Sequence, residues 1–294
     1  MILVTGAGGK TGNAVLRALV AKSVDAHAFV RTEAHIAAIK ALGVPRITVG
    51  SMADLTALRR AAKAARAVYH ICPNVSPFEL DFAQAAITTA ADSGVRRFVF
   101  HSVLHPQVEA MPHHWAKMRV EEALFLSDLD VTILQPAVYM QNILALWPGI
   151  VQEGVFRVPY PIQTRLSLVD LDDVAQTAAL VLTEPGHVGA TYELIGTKPL
   201  SQVEIAETLG RALGRSVRVE AETIETWRLR ARASGLGDYQ CDVLAKMFRY
   251  YADNGLVGNP NVLRWLLGRP PTTLVEFAVR AAASQASRLS GKAT

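Results

Sequence analysis

The chain has 294 residues, 50% of them hydrophobic and 19% charged, and a formal net charge of +4. This is too apolar for intrinsic disorder. The mild basic excess is scattered, as at Arg59, Arg60, Arg66, Arg96 and Arg97, without the aromatic interleaving of a nucleic-acid surface, and it suits an anionic cofactor. Cys72 and Cys241 stand far apart, so neither a disulfide framework nor a metal knuckle is expected, and with no apolar stretch long enough for a bilayer a cytoplasmic protein without a membrane partner is expected.

The first predicted element is a short apolar strand, Ile2–Val4, too short for a signal peptide. It runs into Thr5-Gly6-Ala7-Gly8-Gly9-Lys10-Thr11-Gly12 and then a helix with Val15, Leu16, Leu19 and Val20 on one face. A strand, a glycine turn and a helix N-terminus in that order form the pyrophosphate cradle of dinucleotide-binding folds. Gly6 permits the tight turn, Gly9 lets the backbone approach phosphate and Gly12 lets the helix pack closely. Gly9-Lys10-Thr11 also looks like the tail of a triphosphate P-loop, but the glycine required five residues before Gly9 is Val4.

Further strands are expected at Ala26–Val30, Arg46–Val49, Ala67–Ile71, Arg97–Ser102 and Val131–Gln135. Helices are expected at Ala34–Leu42, Leu55–Ala65, Phe82–Ser93 and Trp115–Ser127. Such alternation predicts an α/β fold, a Rossmann-type doubly wound parallel sheet with right-handed crossovers. After Asn142 the rhythm changes. Leu166–Val169 and Thr191–Ile195 read as strands around a helix from Asp170 to Leu182 that returns to the sheet, and from Pro199 the chain is mostly helical. Ser201 to Glu204 and Thr273 to Glu276 read as capping boxes, and the small polar tail from Ser284 is expected to fray. The organisation expected is a nucleotide-binding core over 1–155, rejoined by 165–196, and a smaller, mostly helical substrate domain over 197–294.

Ligands of open parallel sheets sit beyond the carboxyl ends of the strands. The candidate cofactor residues are therefore Gly6, Ala7, Gly9, Lys10, Thr11 and Gly12 after the first strand, Arg31 after the second, and Ser51 and Met52 after the third. Ile71, Cys72 and Pro73 lie at the end of the fourth strand, Ser102 and Val103 at that of the fifth, and Pro136 and Tyr139 beyond the sixth. An NAD site usually places a carboxylate after the second strand, whereas Arg31 is a cation suited to a 2′-phosphate, and Lys10 could reach the same group. NADP(H) is thus expected over NAD(H).

Histidines crowd His101, His105, His113 and His114, but Pro106 interrupts the stretch and no Cys or carboxylate stands at ligand spacing, so no metal is expected. Ser102 lacks the Gly-x-Ser-x-Gly elbow of a hydrolase. His113 and Lys117 share one helix face, and both are candidate catalytic residues, with Lys117 also placed to hold the nicotinamide ribose. Asp170, Asp172 and Asp173 precede a helix and read as N-terminal capping carboxylates.

Together the glycine loop, Arg31, Gly50-Ser51-Met52-Ala53-Asp54, the Arg96–Ser102 strand, Thr132-Ile133-Leu134-Gln135-Pro136, Tyr139-Met140-Gln141-Asn142 and Leu168 to Ala175 resemble the atypical short-chain dehydrogenases, in their NmrA-like and quinone-oxidoreductase-like branch. The resemblance spans about the first two thirds of the chain and has one departure. Active short-chain dehydrogenases carry Tyr-x-x-x-Lys, and here His113 stands at the tyrosine position while Lys117 keeps the lysine. The family implies an NADPH-dependent oxidoreductase acting on a small apolar carbonyl or quinone-like substrate. Trp115, Tyr139, Met140, Asn142 and residues of the Trp227–Tyr250 stretch would line the substrate, with His113 or a water supplying the proton. Because the family also includes cofactor sensors, the alternative is a non-catalytic NADP(H)-sensing regulator that binds a partner protein. A homodimer is left open.

Overall fold

Ile2–Val4 forms strand β1, buried along its length. The chain continues through α1 (Lys10–Ala21), β2 (Ala26–Val30), α2 (Ile36–Ala41), β3 (Arg46–Val49), α3 (Leu55–Ala62) and β4 (Ala67–His70). It then forms α4 (Glu79–Asp92), β5 (Arg97–His101), α5 (Pro112–Phe125) and β6 (Asp130–Pro136). The computed structural model describes residues 1–290. After β6 come β7 (Val138–Tyr139), a 3₁₀ stretch Met140–Leu146, α6 (Trp147–Gln152), β8 (Val155–Val158), β9 (Arg165–Leu166) and β10 (Leu168–Val169). Next follow α7 (Leu171–Thr183), β11 (Thr191–Leu194), β12 (Leu200–Ser201), α8 (Gln202–Leu213) and β13 (Arg218–Ala221). The chain closes with α9 (Ile224–Ala233), α10 (Asp238–Asn254), α11 (Asn261–Leu267) and α12 (Leu274–Ser290).

The structure divides into two units, Met1–Pro136 with Leu171–Leu194, and Ala137–Asp170 with Ile195–Thr294. The first unit holds a seven-stranded sheet in the order β11-β6-β5-β4-β1-β2-β3. Every pairing in it is parallel. This is the doubly wound arrangement expected, with the strand order reversing between β1 and β4. The β period of two sends Leu3, Phe29, Val68, Phe98, Phe100 and Ile133 to one face, where they pack with α3, α4 and α5. The alternate residues face the side on which α1 and α7 pack together. The second unit combines helices with two-stranded pairings, β10 with β7, β12 with β9, and β13 with β8.

Several boundaries differ from the sequence expectation. The segment expected as one helix over Ala34–Leu42 splits into a 3₁₀ turn, Glu33–His35, and α2. The helix α4 starts one turn before Phe82, because Glu79 and Asp81 suit the positive helix start. The helix α5 likewise starts at Pro112, which fits the first turn where no N–H partner is needed. The strand expected over Leu166–Val169 breaks at Ser167, whose N–H donates to the Leu256 carbonyl at 2.8 Å. No glycine or proline falls between Leu274 and Ser290, so α12 continues to Ser290 where fraying is expected, and the rest of that tail lies outside the described residues. Both capping boxes form, at Ser201 with Glu204 and at Thr273 with Glu276.

Candidate functional site

The glycine loop closes through backbone geometry. Gly6 has φ +59°, and a Cβ there would stand 2.8 Å from the Ile71 carbonyl. A Cβ on Gly12 would stand 2.4 Å from the Gly6 carbonyl, so the start of α1 lies directly on the loop. Asn13 staples the loop by donating to the carbonyls of Ala7 at 2.7 Å and Gly9 at 3.1 Å. Gly9 is the N-cap of α1, and no side chain caps that helix start. The cradle therefore fits a pyrophosphate: glycines where a Cβ would collide, and an uncapped helix start bearing exposed Lys10 and buried Thr11. Arg31, directly after β2, is exposed. Ser51 is exposed and its hydroxyl accepts from the Ala53 N–H, while Met52 is buried.

Beyond β4, Thr5 ties the strand end together. Its hydroxyl accepts from the Ile71 N–H at 2.9 Å and bonds His70 Nδ1 at 3.1 Å. Cys72 is buried and Pro73 exposed. Burial, with the nearby Glu79 carboxylate, pushes the Cys72 thiol well above its usual range, so it stays a thiol.

The end of β5 is more densely wired. The Ser102 N–H donates to the Leu134 carbonyl at 2.8 Å and the Leu104 N–H to the Pro136 carbonyl at 2.9 Å, so the strand pairing with β6 continues past His101. Val103 between them is half-buried. Lys117, on α5, donates from Nζ to Glu79 Oε1 at 2.7 Å and to the His101 carbonyl at 3.3 Å. Its ammonium also lies 5.2 Å from the centre of the Phe100 ring. On the opposite face of the sheet, the Tyr69 hydroxyl and His101 Nδ1 bond at 2.6 Å.

The histidines around Lys117 are neutral. Burial, reinforced by the Lys117 cation, pulls His70 and His101 down to about 3. Burial also lowers His113 to about 3, with His114 and Lys117 adding to it. His114 falls to about 4 through burial, although its ring bonds the His105 carbonyl at 3.3 Å. Nδ1 of His113 is buried and has no hydrogen-bond partner. The two adjacent rings stand edge to face at 4.5 Å. The site thus combines one firmly held cation with uncharged imidazoles.

Glu79 and Glu121 were not singled out from the sequence. Glu79 lies 38 residues from Lys117 and outside the helix expected from Phe82, so no local pattern links the two. Glu121 did carry a signal, because it continues the face of α5 that carries His113 and Lys117. Its carboxylate accepts from the Ser102 hydroxyl and from Gln135 Nε2 at 3.0 Å. Trp115 is half-buried on α5.

In the second unit Tyr139 is half-buried, Met140 fully buried and Asn142 exposed. Gln141 donates to the buried Asp170 at 3.0 Å, and Arg280 pairs with the other Asp170 oxygen. Asp170 therefore anchors the segment after β7 as well as preceding a helix. Within Trp227–Tyr250, Trp227 and Phe248 pack edge to face at 4.8 Å, and Phe248 lies 5.8 Å from Tyr160. Among the described residues no cluster of His, Cys, Asp and Glu is arranged to hold a metal, and no helix is long and apolar enough to cross a membrane.

The NmrA-like family model matches residues 1–286. The NAD(P)H azoreductase of Xenophilus azovorans is 30% identical over 289 residues, covering 97% of this chain and 99% of that protein. Quinone oxidoreductase 2 of Escherichia coli strain K12 is 28% identical over 278 residues, covering 94% and 96%. The crystal structure of the E. coli NADPH-dependent quinone oxidoreductase QOR2 complexed with NADPH superposes with a TM-score of 0.83 at 27% identity, covering 95% of this chain and 99% of that one. The negative transcriptional regulator NMRA in complex with NADP gives a TM-score of 0.79 at 15% identity, covering 97% and 95%, which is a likeness of fold.

Proposed function

The chain belongs to the NmrA-like family, and from that footing we propose that it reduces a small quinone-like acceptor with NADPH. It is an oxidoreductase that uses NADP(H), in keeping with full-length relatives named as an NAD(P)H azoreductase and a quinone oxidoreductase. Their names favour this reading over the sensor alternative, since the NMRA regulator shares only 15% identity.

In this reading the glycine loop and the start of α1 hold the pyrophosphate, and Arg31 holds the 2′-phosphate. The observation that carries the chemistry is a lysine fixed at the end of β5, by Glu79 and the His101 carbonyl, beside histidines kept neutral by burial. Two of the three Lys117 N–H groups are used in those bonds, which leaves one for a ribose hydroxyl. NADPH supplies a hydride from nicotinamide C4. Lys117 orients the ribose and its charge favours a developing oxyanion on the substrate. The neutral imidazole of His113 has no acidic proton to give near neutral pH. A quinone tolerates this, because its reduced oxygen is phenol-like, with a pKa of about 10, and takes its proton from water. An alkoxide formed from an aldehyde is far more basic and needs an acid beside it. Trp115 on the same helix is assigned to the substrate.

The test is NADPH oxidation with a panel of quinones and aldehydes. Quinone turnover that falls at least tenfold in Lys117→Met carrying Glu79→Gln, a pair chosen to avoid a stranded buried carboxylate, is the expected result. No turnover with any quinone, or unchanged turnover in that variant, would sink the assignment.

A further inference from the structure

Glu121 has no role in the reaction described so far. It is buried at 4% exposure on α5, four residues after Lys117. A buried carboxylate is costly unless its oxygens are satisfied. Here Ser102 Oγ donates to Oε1, and Gln135 Nε2 lies 3.0 Å from both oxygens. Burial pushes the Glu121 carboxyl up, while the bonds from Ser102 and Gln135 and the Lys117 cation pull it down. Lys117 is the charged group of its own helix that acts on it. Glu79, from α4, is engaged with Lys117. From the sheet side the facing groups are Ser102, just past β5, and Gln135 on β6.

A serine hydroxyl has one proton and two lone pairs, so what it offers a ligand depends on where the proton goes. The Ser102 hydroxyl donates its one hydrogen bond to Glu121 Oε1. We propose that Glu121 is a positioning residue that fixes Ser102 as a hydrogen-bond acceptor, selecting the carboxamide N–H of the nicotinamide and withholding the donor that a simple carbonyl substrate needs. This rests on Ser102, one of the candidate cofactor residues at the end of β5, facing the nicotinamide of the proposed cofactor. It also deepens the proposed function, since it makes preference for quinones over aldehydes a property of the Ser102–Glu121 pair. In Glu121→Gln the new amide oxygen takes the Gln135 N–H, its NH₂ donates to Ser102, and the serine proton turns outward as a donor.

The experiment is a double-mutant cycle on Ser102→Ala, Glu121→Gln and their combination. It reads NADPH dissociation constants by fluorescence, kcat/KM for para-benzoquinone and benzaldehyde, and urea midpoints. Glu121→Gln is expected to weaken NADPH about tenfold and to lower the quinone-to-aldehyde ratio about tenfold, with both effects absent when Ser102 is already alanine. Glu121→Asp, whose shorter carboxylate no longer reaches Ser102, shifts both in the same direction and serves if the glutamine variant does not fold. A purely structural Glu121 would lower the urea midpoint equally in both backgrounds and leave NADPH affinity and substrate ratio unchanged, which overturns the proposal. If Ser102→Ala weakens NADPH but the Glu121 effect is additive, the role of Glu121 fails and the placement of Ser102 stands. Wild-type NADPH affinity in Ser102→Ala overturns that placement and the proposal with it.

Discussion

The Lys117 ammonium lies 2.7 Å from the Glu79 carboxylate, with the two side chains only 15% and 5% exposed. A pair so enclosed stabilises little when intact, because desolvation offsets attraction, but removing one partner strands a buried charge at a cost of about 3–5 kcal/mol. Lys117→Met alone is therefore expected to lose more stability than Lys117→Met with Glu79→Gln. Urea unfolding of the two single variants and the double variant checks this, and additive losses would contradict it. Glu79→Gln alone is expected to raise the NADPH dissociation constant, since the lysine loses the contact that aims it.

Two glycines of the loop, one tight and one open, predict a separation of effects. A methyl at Gly12 would stand 2.4 Å from the Gly6 carbonyl, whereas at Gly9 the nearest atom is 3.4 Å away. Gly12→Ala must displace the start of α1, at a cost of about 1–3 kcal/mol, and loses NADPH binding with it. Gly9→Ala is expected to keep wild-type stability while binding NADPH more weakly, because its methyl intrudes only on the phosphate. Thermal denaturation and NADPH titration of both variants test this.

Arg31 is exposed just after β2, so Arg31→Ala should leave stability unchanged. It should cut the preference for NADPH over NADH by about tenfold or more, the value of one charge-assisted hydrogen bond to phosphate. Steady-state kinetics with both cofactors measure it. An unchanged ratio would move the 2′-phosphate elsewhere.

The buried histidines set the acid limit. Folded His70, His101 and His113 stay neutral down to about 3 and His114 to about 4. In the unfolded chain the same groups take up protons below about pH 6.5. The unfolded state then binds more protons, so stability is full above about pH 6.5 and falls as pH drops toward the folded values, by up to about 1.4 kcal/mol per pH unit for each histidine. Urea midpoints should decline steadily from about pH 7 to about pH 5, less steeply in His101→Gln. A flat profile would contradict this. For the same reason the pH–rate profile should show no break near 6.5 that His113→Gln removes.

In the second unit, Arg280→Ala removes the guanidinium from Asp170, whose side chain is fully buried. A loss of about 1.5–3 kcal/mol is expected. Hydrogen exchange should quicken in the Met140–Leu146 stretch, which Gln141 ties to Asp170. Unchanged exchange there would show that Asp170 does not anchor the segment.

The sequence by itself determined the doubly wound sheet, the tight glycine turn into α1 and the helix face bearing His113 and Lys117. These are local: β1 through α1 spans 20 residues, with glycines whose need is written in backbone stereochemistry, and a helix face repeats every three or four residues. Tertiary structure decided what those side chains touch. Lys117 meets Glu79 from 38 positions away, and Ser102 and Gln135 meet on Glu121 because β5 and β6 pair with His101 opposite Leu134. A shift of one residue in that register would turn Gln135 to the other face of the sheet and leave Glu121 buried without it. Burial likewise makes the histidines neutral, since the free energy of charging an imidazole depends on the surrounding medium, which the order of residues does not reveal.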